Sequence, residues 1–253
     1  MENVVTSLAD GVESIFLGGF VTPQVRANIG STFPVIYGTQ FKKDDQGRVL
    51  VDERATVGGK PNANYGFPMT GSPGVIGTVS PDFVVGASTS LRYKSLSISA
   101  TLDWKNGGQM YHGSNGLMQY TYGVAKSTED RTTPFVYPGF KADGSVNDIQ
   151  RGGETDHAAY FQLNANVLGN IDEAFIFNNS YLKLRELSLS YKLPKIMSVD
   201  ITATAFARNL LLWTNLPNFD PEATQGNTNM GGSFERFTTP QASSVGFGLN
   251  LVF

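Results

Sequence analysis

The sequence has no cysteine, no stretch of about 18 consecutive apolar residues and no run of lysine or arginine. The lack of cysteine excludes disulfide bonds and thiolate metal sites. The lack of a long apolar stretch excludes a membrane-spanning helix. With a net charge of −3 and a pI near 5.4, the chain offers no basic surface to phosphates, which argues against nucleic acid as a partner.

Motifs that carry chemistry are also missing. The sequence contains neither a GxSxG nucleophile turn nor a GxxxxGK[ST] phosphate loop. Its two histidines, His112 and His157, lie without HExxH spacing, and we interpret them as surface residues. We therefore expect no catalytic residue, no metal site and no cofactor. The first eleven residues lack the basic stretch and apolar run of a secretion signal, so export would depend on another part of a longer chain.

The strongest positive pattern is the alternation at the C-terminus. One face of this segment is apolar, and the other is small or polar apart from Val252. The apolar positions are Val245, Phe247, Leu249, Leu251 and Phe253. A strand of about 9–11 residues with this pattern is typical of an outer-membrane β-barrel, although a soluble sandwich strand alternates in the same way. The terminal phenylalanine resembles the signal by which the outer-membrane assembly machinery recognises its clients.

Similar alternation predicts further strands, and glycine, of which the chain has 28, suits the turns between them. The predicted strands are 83–93, 96–104, 181–193, 199–210 and 243–253. Tyr93 and Trp104 end the apolar face of the first hairpin, where interfacial aromatic residues of a barrel lie. The alternation changes phase at Arg185–Glu186, which indicates a β-bulge or the exit of the strand from the lipid.

The connections alternate between short and long. Short turns follow Tyr93 and occupy 194–198, whereas 105–180 and 211–242 are long and polar. Outer-membrane barrels have short periplasmic turns and long extracellular loops. We therefore expect 105–180 and 211–242 to be extracellular, and the fold to be all-β, part of a transmembrane antiparallel barrel.

Several blocks of the sequence resemble a known family. The blocks NNSYLKLRELSLSYKLP at 178–194, ARNLLLWTNLPNFDPE at 207–222 and FGLNLVF at 247–253 resemble the C-terminal barrel of SusC/RagA-type TonB-dependent transporters of Bacteroidetes. Weaker similarity extends forward to VTSLADGVESIFLGGF at 5–20. The pattern opens in the middle of the family's barrel.

The resemblance implies a function and partners. It implies TonB-dependent import of an oligomeric nutrient, glycan or peptide, across the outer membrane, with lipid around the barrel and a SusD-like surface lipoprotein at its outer face. TonB would act through an N-terminal part that the matching pattern lacks. Transporters of this type resemble plugged barrels of about 22 strands. Five strands, or seven or eight with weaker ones before residue 80, cannot close one, so we expect a fragment of a longer protein.

Ligand-binding residues are only weakly indicated. The aromatic residues Trp213, Tyr111 and Tyr137 fall in the predicted loops. Three roles stay open for them: to stack on sugar rings, to pack the loops together, or to contact a lid protein. Lys183 and Arg185 alternate with leucines, and we interpret them as a solvated structural pair that faces the lumen. Asp220 and Glu222 are best interpreted as a loop corner fixed by proline, which the resemblance supports. Two alternatives to the transporter stay open: a soluble all-β glycan-binding module, and a non-TonB barrel such as a porin or a barrel enzyme.

Overall fold

The computed structural model describes residues 3–115, 132–195, 198–216, 219–225 and 234–253. The strands in these ranges are β1 (Ser14–Gly19), β2 (Gln24–Asn28), β3 (Val35–Gly38), β4 (Thr56–Val57), β5 (Lys60–Pro61), β6 (Gly74–Thr78), β7 (Pro81–Tyr93), β8 (Leu96–Gly107), β9 (Gln109–His112), β10 (Phe135–Val136), β11 (Gln150–Arg151), β12 (Ile176–Asn178), β13 (Tyr181–Lys192), β14 (Asp200–Thr214), β15 (Phe234–Glu235) and β16 (Ser244–Val252). Short helical turns lie at Gly113–Asn115, Ala159–Phe161, Gln162–Val167, Leu168–Asn170 and Asp172–Phe175.

The chain divides into two compact units. The first contains Met1–Val79, Gln109–Phe177 and Thr224–Thr238, and the second contains Ser80–Gly108, Asn178–Ala223 and Thr239–Phe253.

The second unit is a five-stranded antiparallel sheet in the order β16–β14–β13–β8–β7. Its strands are 9 to 15 residues long, which suffices to cross a bilayer core. The sequence predicted strands in these five places, but β8 continues to Gly107 and β14 to Thr214, beyond the predicted ends. The predicted loops therefore begin later than expected.

The outer strands β7 and β16 each have only one neighbour in the part of the chain that the structure describes. The sheet therefore does not close on itself within these residues. An all-β, antiparallel and incomplete barrel wall is the fold class that the sequence predicted, and the structure confirms it.

A β-bulge explains the phase change at Arg185. Against β8, Arg185 is an extra residue between the pairs Leu184–Leu102 and Glu186–Thr101. Against β14, Asn209 and Leu210 oppose it, and Asn209 takes a left-handed backbone with φ 50°. The bulge interpretation is therefore confirmed.

The first unit consists of small sheets and helical turns. Strands β1, β2, β3 and β6 form a four-stranded sheet, in which each strand has 4 to 6 residues. The prediction that weaker segments before residue 80 add two or three barrel strands is wrong, because these strands are too short to span a bilayer and do not join the five-stranded sheet.

The segment predicted as a loop at 105–180 is largely folded where it is described. Its strand β9 pairs in parallel with β15 and also joins β12. One apolar cluster lies around the helical turns and consists of Phe67, Ala159, Leu163, Val167, Leu168, Ile171 and Phe175, and a second consists of Val25, Ile36, Val79 and Phe234. Burial of widely spaced aromatic and aliphatic residues, rather than a periodic pattern, stabilises this unit. Residues 116–131 of the predicted loop lie outside the described ranges.

Candidate functional site

The five-stranded sheet has one apolar face and one polar face. Strand register aligns the apolar side chains in rows that cross the strands, such as Leu91–Ile98–Leu189 and onward through Ala205 to Phe247. We call this surface the outer face, and its large side chains are Val85, Leu91, Tyr93, Leu96, Ile98, Leu102, Trp104, Leu182, Leu184, Leu187, Leu189, Tyr191, Leu211, Trp213, Val245, Phe247, Leu249 and Leu251.

Most of these side chains are open to the surroundings. Phe247 is 84% exposed and Leu249 is 70% exposed. A contiguous apolar surface of this kind on a soluble monomer is rare and marks contact with a membrane or another protein.

Aromatic residues border the outer face at both ends. Trp104 and Trp213 lie in the row that also contains Leu182. Tyr93 and Tyr191 lie in the row of Leu96, at the end of the sheet where the short turns connect the strands. The eight-residue step from Leu96 to Trp104 covers about 27 Å along the strand at about 3.4 Å per residue. A strand tilt of about 40° reduces this to about 20 Å along the membrane normal, close to the apolar band of outer-membrane barrels.

The predicted assembly segment lies on β16. Val245, Phe247, Leu249 and Leu251 pair with the row of Ala207, Ala205, Ala203 and Ile201 on β14, and so share the outer face. Phe253 follows the end of β16 and is 92% exposed. The structure places these side chains on one face, and their role in assembly stays a prediction.

The three candidate ligand aromatics lie in different surroundings. Trp213 is in β14 and on the outer face, so its assignment to a loop was wrong. Tyr111 is in β9 and packs edge to face on Phe175 and Phe234, with ring centroids 6.1 and 5.9 Å apart. Tyr137 is half-buried against the cluster of the first unit. The structure therefore does not bring them together as one site.

The opposite face of the sheet, which we call the inner face, is polar. Serine and threonine hydroxyls meet across strands, as between Ser190 and Thr204 at 2.9 Å and between Ser88 and Thr101 at 3.2 Å. Such pairs satisfy polar groups without a counter-ion and leave a small, hydrophilic surface.

An ion-pair cluster lies on the inner face near the bulge. The Lys183 ammonium donates to Glu222 Oε2 at 2.7 Å and to Gln241 Oε1 at 2.9 Å, and Asp220 Oδ2 lies 3.7 Å away. Arg185 donates through Nη1 to Glu222 Oε2 at 2.6 Å.

The Arg185 guanidinium also connects two parts of the sheet. Its Nη2 makes a further short contact with Glu222, and its Nε donates to Asp103 Oδ2 on β8 at 2.7 Å. The cluster therefore ties the segment around Glu222 to the sheet through fork-shaped, charge-assisted hydrogen bonds.

Burial sets the electrostatics of this cluster. Lys183 is 2% exposed, so the interpretation of a solvated pair is wrong for Lys183, whereas Arg185 is half-buried. Burial alone raises the pKa of Glu222, but hydrogen bonds from Arg185 and Lys183 outweigh this effect and hold that pKa below its ordinary value. The carboxylate is therefore charged at neutral pH.

Asp220 and Glu222 also form a turn, as the sequence indicated. Asp220 Oδ1 accepts from the backbone N–H of Glu222 at 3.0 Å, and Asp220 Oδ2 accepts from the N–H of Gln241 at 3.1 Å. Sequence reasoning found this corner but missed its contacts with Lys183 and Arg185. The available sign was that two cations of the same parity alternate with leucines, because a strand that faces lipid on one side carries its charges on the other.

His112 is not the surface residue that we expected. It is 1% exposed, and its Nδ1 lies 2.5 Å from Glu235 Oε2. Ser114 Oγ donates to Glu235 Oε1 at 2.7 Å, and the N–H of Thr238 donates to the same oxygen at 3.2 Å. His157, in contrast, is exposed.

This buried cluster holds β9 and β15 together. Burial raises the pKa of Glu235, but the hydrogen bonds from His112 and Ser114 outweigh it, so the pKa lies below its ordinary value. Ser114 contacts the carboxylate rather than the imidazole, so the geometry differs from that of an activated serine nucleophile. Sequence analysis missed Glu235, because no local motif links it to a histidine 123 residues away.

In the described ranges, no three side chains of His, Cys, Asp or Glu are grouped closely enough to hold a metal ion. No helix in these ranges is both long and apolar enough to cross a membrane.

Comparison with known proteins gives two curated relatives from Formosa agariphila. TonB-dependent receptor P3 is 24% identical over 278 residues, which cover all of this chain and 26% of that protein. TonB-dependent receptor P26 is 24% identical over 253 residues, which cover 90% of this chain and 23% of that protein. The chain thus spans about a quarter of the length of each relative. It matches no protein-family model.

Solved structures show the same fold. The RagAB peptide importer in its closed-closed state matches 97% of this chain and 25% of the compared chain, with a TM-score of 0.58 and 19% identity. The open-open state matches 98% of this chain with the same TM-score and identity. The homologues of this chain are TonB-dependent receptors of Bacteroidetes, and its resemblance to the SusC/RagA type is confirmed.

Proposed function

We propose that this chain is part of the barrel of an outer-membrane TonB-dependent importer that takes up an oligomeric nutrient, either a glycan or a peptide. The observation that carries the proposal is the outer face, a continuous apolar surface bordered by Trp104 and Trp213 at one end and by Tyr93 and Tyr191 at the other. Its inner face is polar, as the lumen of a barrel requires. The relatives named as TonB-dependent receptors support the same function.

The alternatives receive less support. A soluble β-sandwich covers its apolar face with a second sheet about 10 Å away. In this chain Phe247 and Leu249 are mostly exposed. A porin or a barrel enzyme has no specific observation in its favour, since the relatives are named as receptors.

The partners follow from the same comparison and belong to the proposal. A SusD-like lipoprotein would cover the outer opening, and TonB would act on a part of the protein outside the matched region. The solved neighbours are described as a peptide importer, which supports an oligomeric substrate without choosing between peptide and glycan for this protein. Outer-membrane lipid would contact the outer face.

The orientation is proposed from the lengths of the connections. The segments 105–180 and 211–242 are long, whereas the turn at 94–95 and the connection at 194–198 are short. Short turns face the periplasm in outer-membrane barrels, so the long segments should face the outside.

Single cysteines introduced at two exposed positions test both the membrane location and the orientation. Glu154 lies in the long segment and Ser198 in the short connection, and the native chain has no cysteine. In intact cells that carry the full-length protein, an impermeant maleimide should label Glu154→Cys, and it should label Ser198→Cys only after lysis. Labelling of Ser198→Cys alone in intact cells would reverse the orientation, and recovery of the protein in the soluble fraction would exclude the barrel.

Uptake is tested by deleting the gene. The deletion strain should lose growth on one class of oligomer, supplied as glycans or as peptides, and should keep growth on the monomers. Unchanged growth on every oligomer that the parent strain uses would contradict the import function.

A further inference from the structure

The first unit contains a cavity of about 360 Å³, to which the proposed transport function assigns no role. Its lining combines Phe20, Thr39, Tyr111, Asp172 and Arg236. Apolar and charged groups thus face the same space, which is typical of a small-ligand site.

Arg236 is the cation of this cavity. Its guanidinium lies over the Phe20 ring, 5.1 Å from the ring centre, and the side chain is exposed. No acidic side chain of the described ranges forms an ion pair with it. A planar guanidinium that is stacked on a ring and has no carboxylate partner among the described residues is suited to bind an added carboxylate through two parallel hydrogen bonds.

Tyr111 provides a hydroxyl beside this cation. Its ring is fixed by Phe175 and Phe234, and its hydroxyl makes no hydrogen bond with the part of the chain that the structure describes. Burial raises the pKa of Tyr111 to about 12, so the phenol keeps its proton at neutral pH and can donate it.

Asp172 supplies an acceptor in the same cavity. The side chain is 8% exposed, and its Oδ2 accepts from the N–H of Thr39 at 2.9 Å and from the hydroxyl of Thr22. Within the described ranges every hydrogen bond to this carboxylate ends on Oδ2. Its Oδ1 is therefore available to a hydroxyl or N–H of a ligand.

We propose that this cavity binds a carboxylate group of the transported oligomer, with Arg236 and Tyr111 as donors and Asp172 as the acceptor for a neighbouring hydroxyl or amide. The inference rests on the proposed import function and makes it more specific, because a neutral oligosaccharide has no anionic group to pair with Arg236. A uronate sugar and the C-terminus of a peptide both carry this chemistry.

Binding to the purified full-length protein in detergent tests the proposal. Isothermal titration would compare two matched pairs of probes: tetragalacturonate with its methyl ester, and trialanine with its C-terminal amide. In at least one pair the free carboxylate should bind about tenfold more tightly than its neutral form, as a charge-assisted contact implies. The pair that shows the difference identifies the source of the carboxylate.

Variants assign the effect to the cavity. Arg236→Gln should reduce the tenfold ratio to about twofold or less, and Tyr111→Phe, which removes only the hydroxyl, should reduce it about threefold. Lys60→Gln removes one positive charge at an exposed position of β5 and should leave the ratio unchanged. Equal binding of both members in each pair, no binding of any probe, or a ratio that survives Arg236→Gln would each overturn the site.

The outcome is separable from that of the proposed function. Growth of the Arg236→Gln strain on neutral oligomers measures import without the carboxylate contact. If the probes show no preference while deletion of the gene still abolishes growth on an oligomer, the site is refuted and the transporter stands.

Discussion

Removal of the Glu222 charge should destabilise the barrel wall more than removal of a comparable exposed charge. The substitution Glu222→Gln keeps the shape of the side chain but removes the negative charge that Lys183 contacts at 2.7 Å and Arg185 contacts at 2.6 Å, and it replaces one acceptor oxygen by an NH2 donor. Lys183 is 2% exposed and has little access to water in place of the lost partner.

The magnitude follows from what remains around the two cations. Breaking a fully buried ion pair by removing one partner costs about 3–5 kcal/mol. Lys183 keeps Asp220 at 3.7 Å and Gln241 at 2.9 Å, and Arg185 keeps Asp103 at 2.7 Å. We therefore expect a loss of about 2 kcal/mol in the free energy of unfolding, below the range for a fully buried pair, because both cations keep other partners.

Asp200→Asn is the matched control. Asp200 also lies beside two cations, Lys192 at 3.2 Å and Lys195 at 3.9 Å, but these side chains are exposed. Exposed pairs contribute about 0–1 kcal/mol, so this variant should lose less than 1 kcal/mol. Urea unfolding of the full-length protein in lipid vesicles, followed by the gel mobility of the folded form, measures both losses. Equal losses for the two variants would refute the reasoning.

The pH dependence of the Glu222 variant gives an independent check. The folded pKa of Glu222 is lowered, so its stabilisation is fully present above the unfolded pKa, for which the reference is 4.5, and is lost as the pH falls through the lower folded value. The stability difference between wild type and Glu222→Gln should thus stay constant from pH 7 to about 5 and shrink under more acid conditions. A difference that grows on acidification would contradict the assigned charge state.

Two further pairs of variants on β16 test the faces of the sheet, both by the same unfolding assay. Leu249→Arg should cost about 2–4 kcal/mol if the outer face lies in lipid, whereas Asn250→Arg on the inner face should cost less than about 1 kcal/mol. Equal costs at the two positions would argue against the assignment. Gly246→Ala should cost about 1–2 kcal/mol, because the added methyl carbon would lie 2.4 Å from the Phe206 ring, while Gly248→Ala meets no atom within 4 Å and should be neutral. A neutral Gly246→Ala would show that the ring moves aside freely.

The strands of the large sheet could be located from sequence because alternation is a local property. From Leu96 to Trp104 every second residue is apolar or alanine, and these residues occupy one face in the structure. The tight turn was equally local, since only Lys94 and Ser95 separate two alternating segments. Lys94 takes a left-handed backbone with φ 54° to make that turn.

The ends of the strands were less predictable. The phase of alternation in β14 is obscured around Asn209, whose left-handed backbone and bulged position interrupt the pleat. Sequence reasoning stopped the strand there and placed Trp213 in a loop. The strand continues because Leu211 and Trp213 return to the outer face beside Leu184 and Leu182.

The ion-pair cluster and the first unit were not predictable from one sequence. Lys183 and Glu222 are 39 residues apart, and His112 and Glu235 are 123 apart, so only the folded chain brings them together. Burial then reverses two interpretations: Lys183 changes from a solvated charge to an internal contact, and His112 from a surface residue to a buried one. The prediction that strands before residue 80 belong to the barrel was wrong for a related reason. Alternation over four to six residues does not specify which sheet a strand joins.

The bulge at Arg185 connects the two faces of the sheet. Leu184 and Leu187 are three residues apart, and in a regular strand they would point to opposite sides. The extra residue places both on the outer face, and it leaves Arg185 on the inner side, where it contacts Asp103 and Glu222. One irregularity in β13 therefore keeps the apolar surface continuous while it aims a cation at the segment around Glu222. Deletion of Arg185 alone should remove only the cation, because Glu186 would then follow Leu184 directly, as Thr101 precedes Leu102 on β8, and Leu184 and Leu187 would both stay on the outer face.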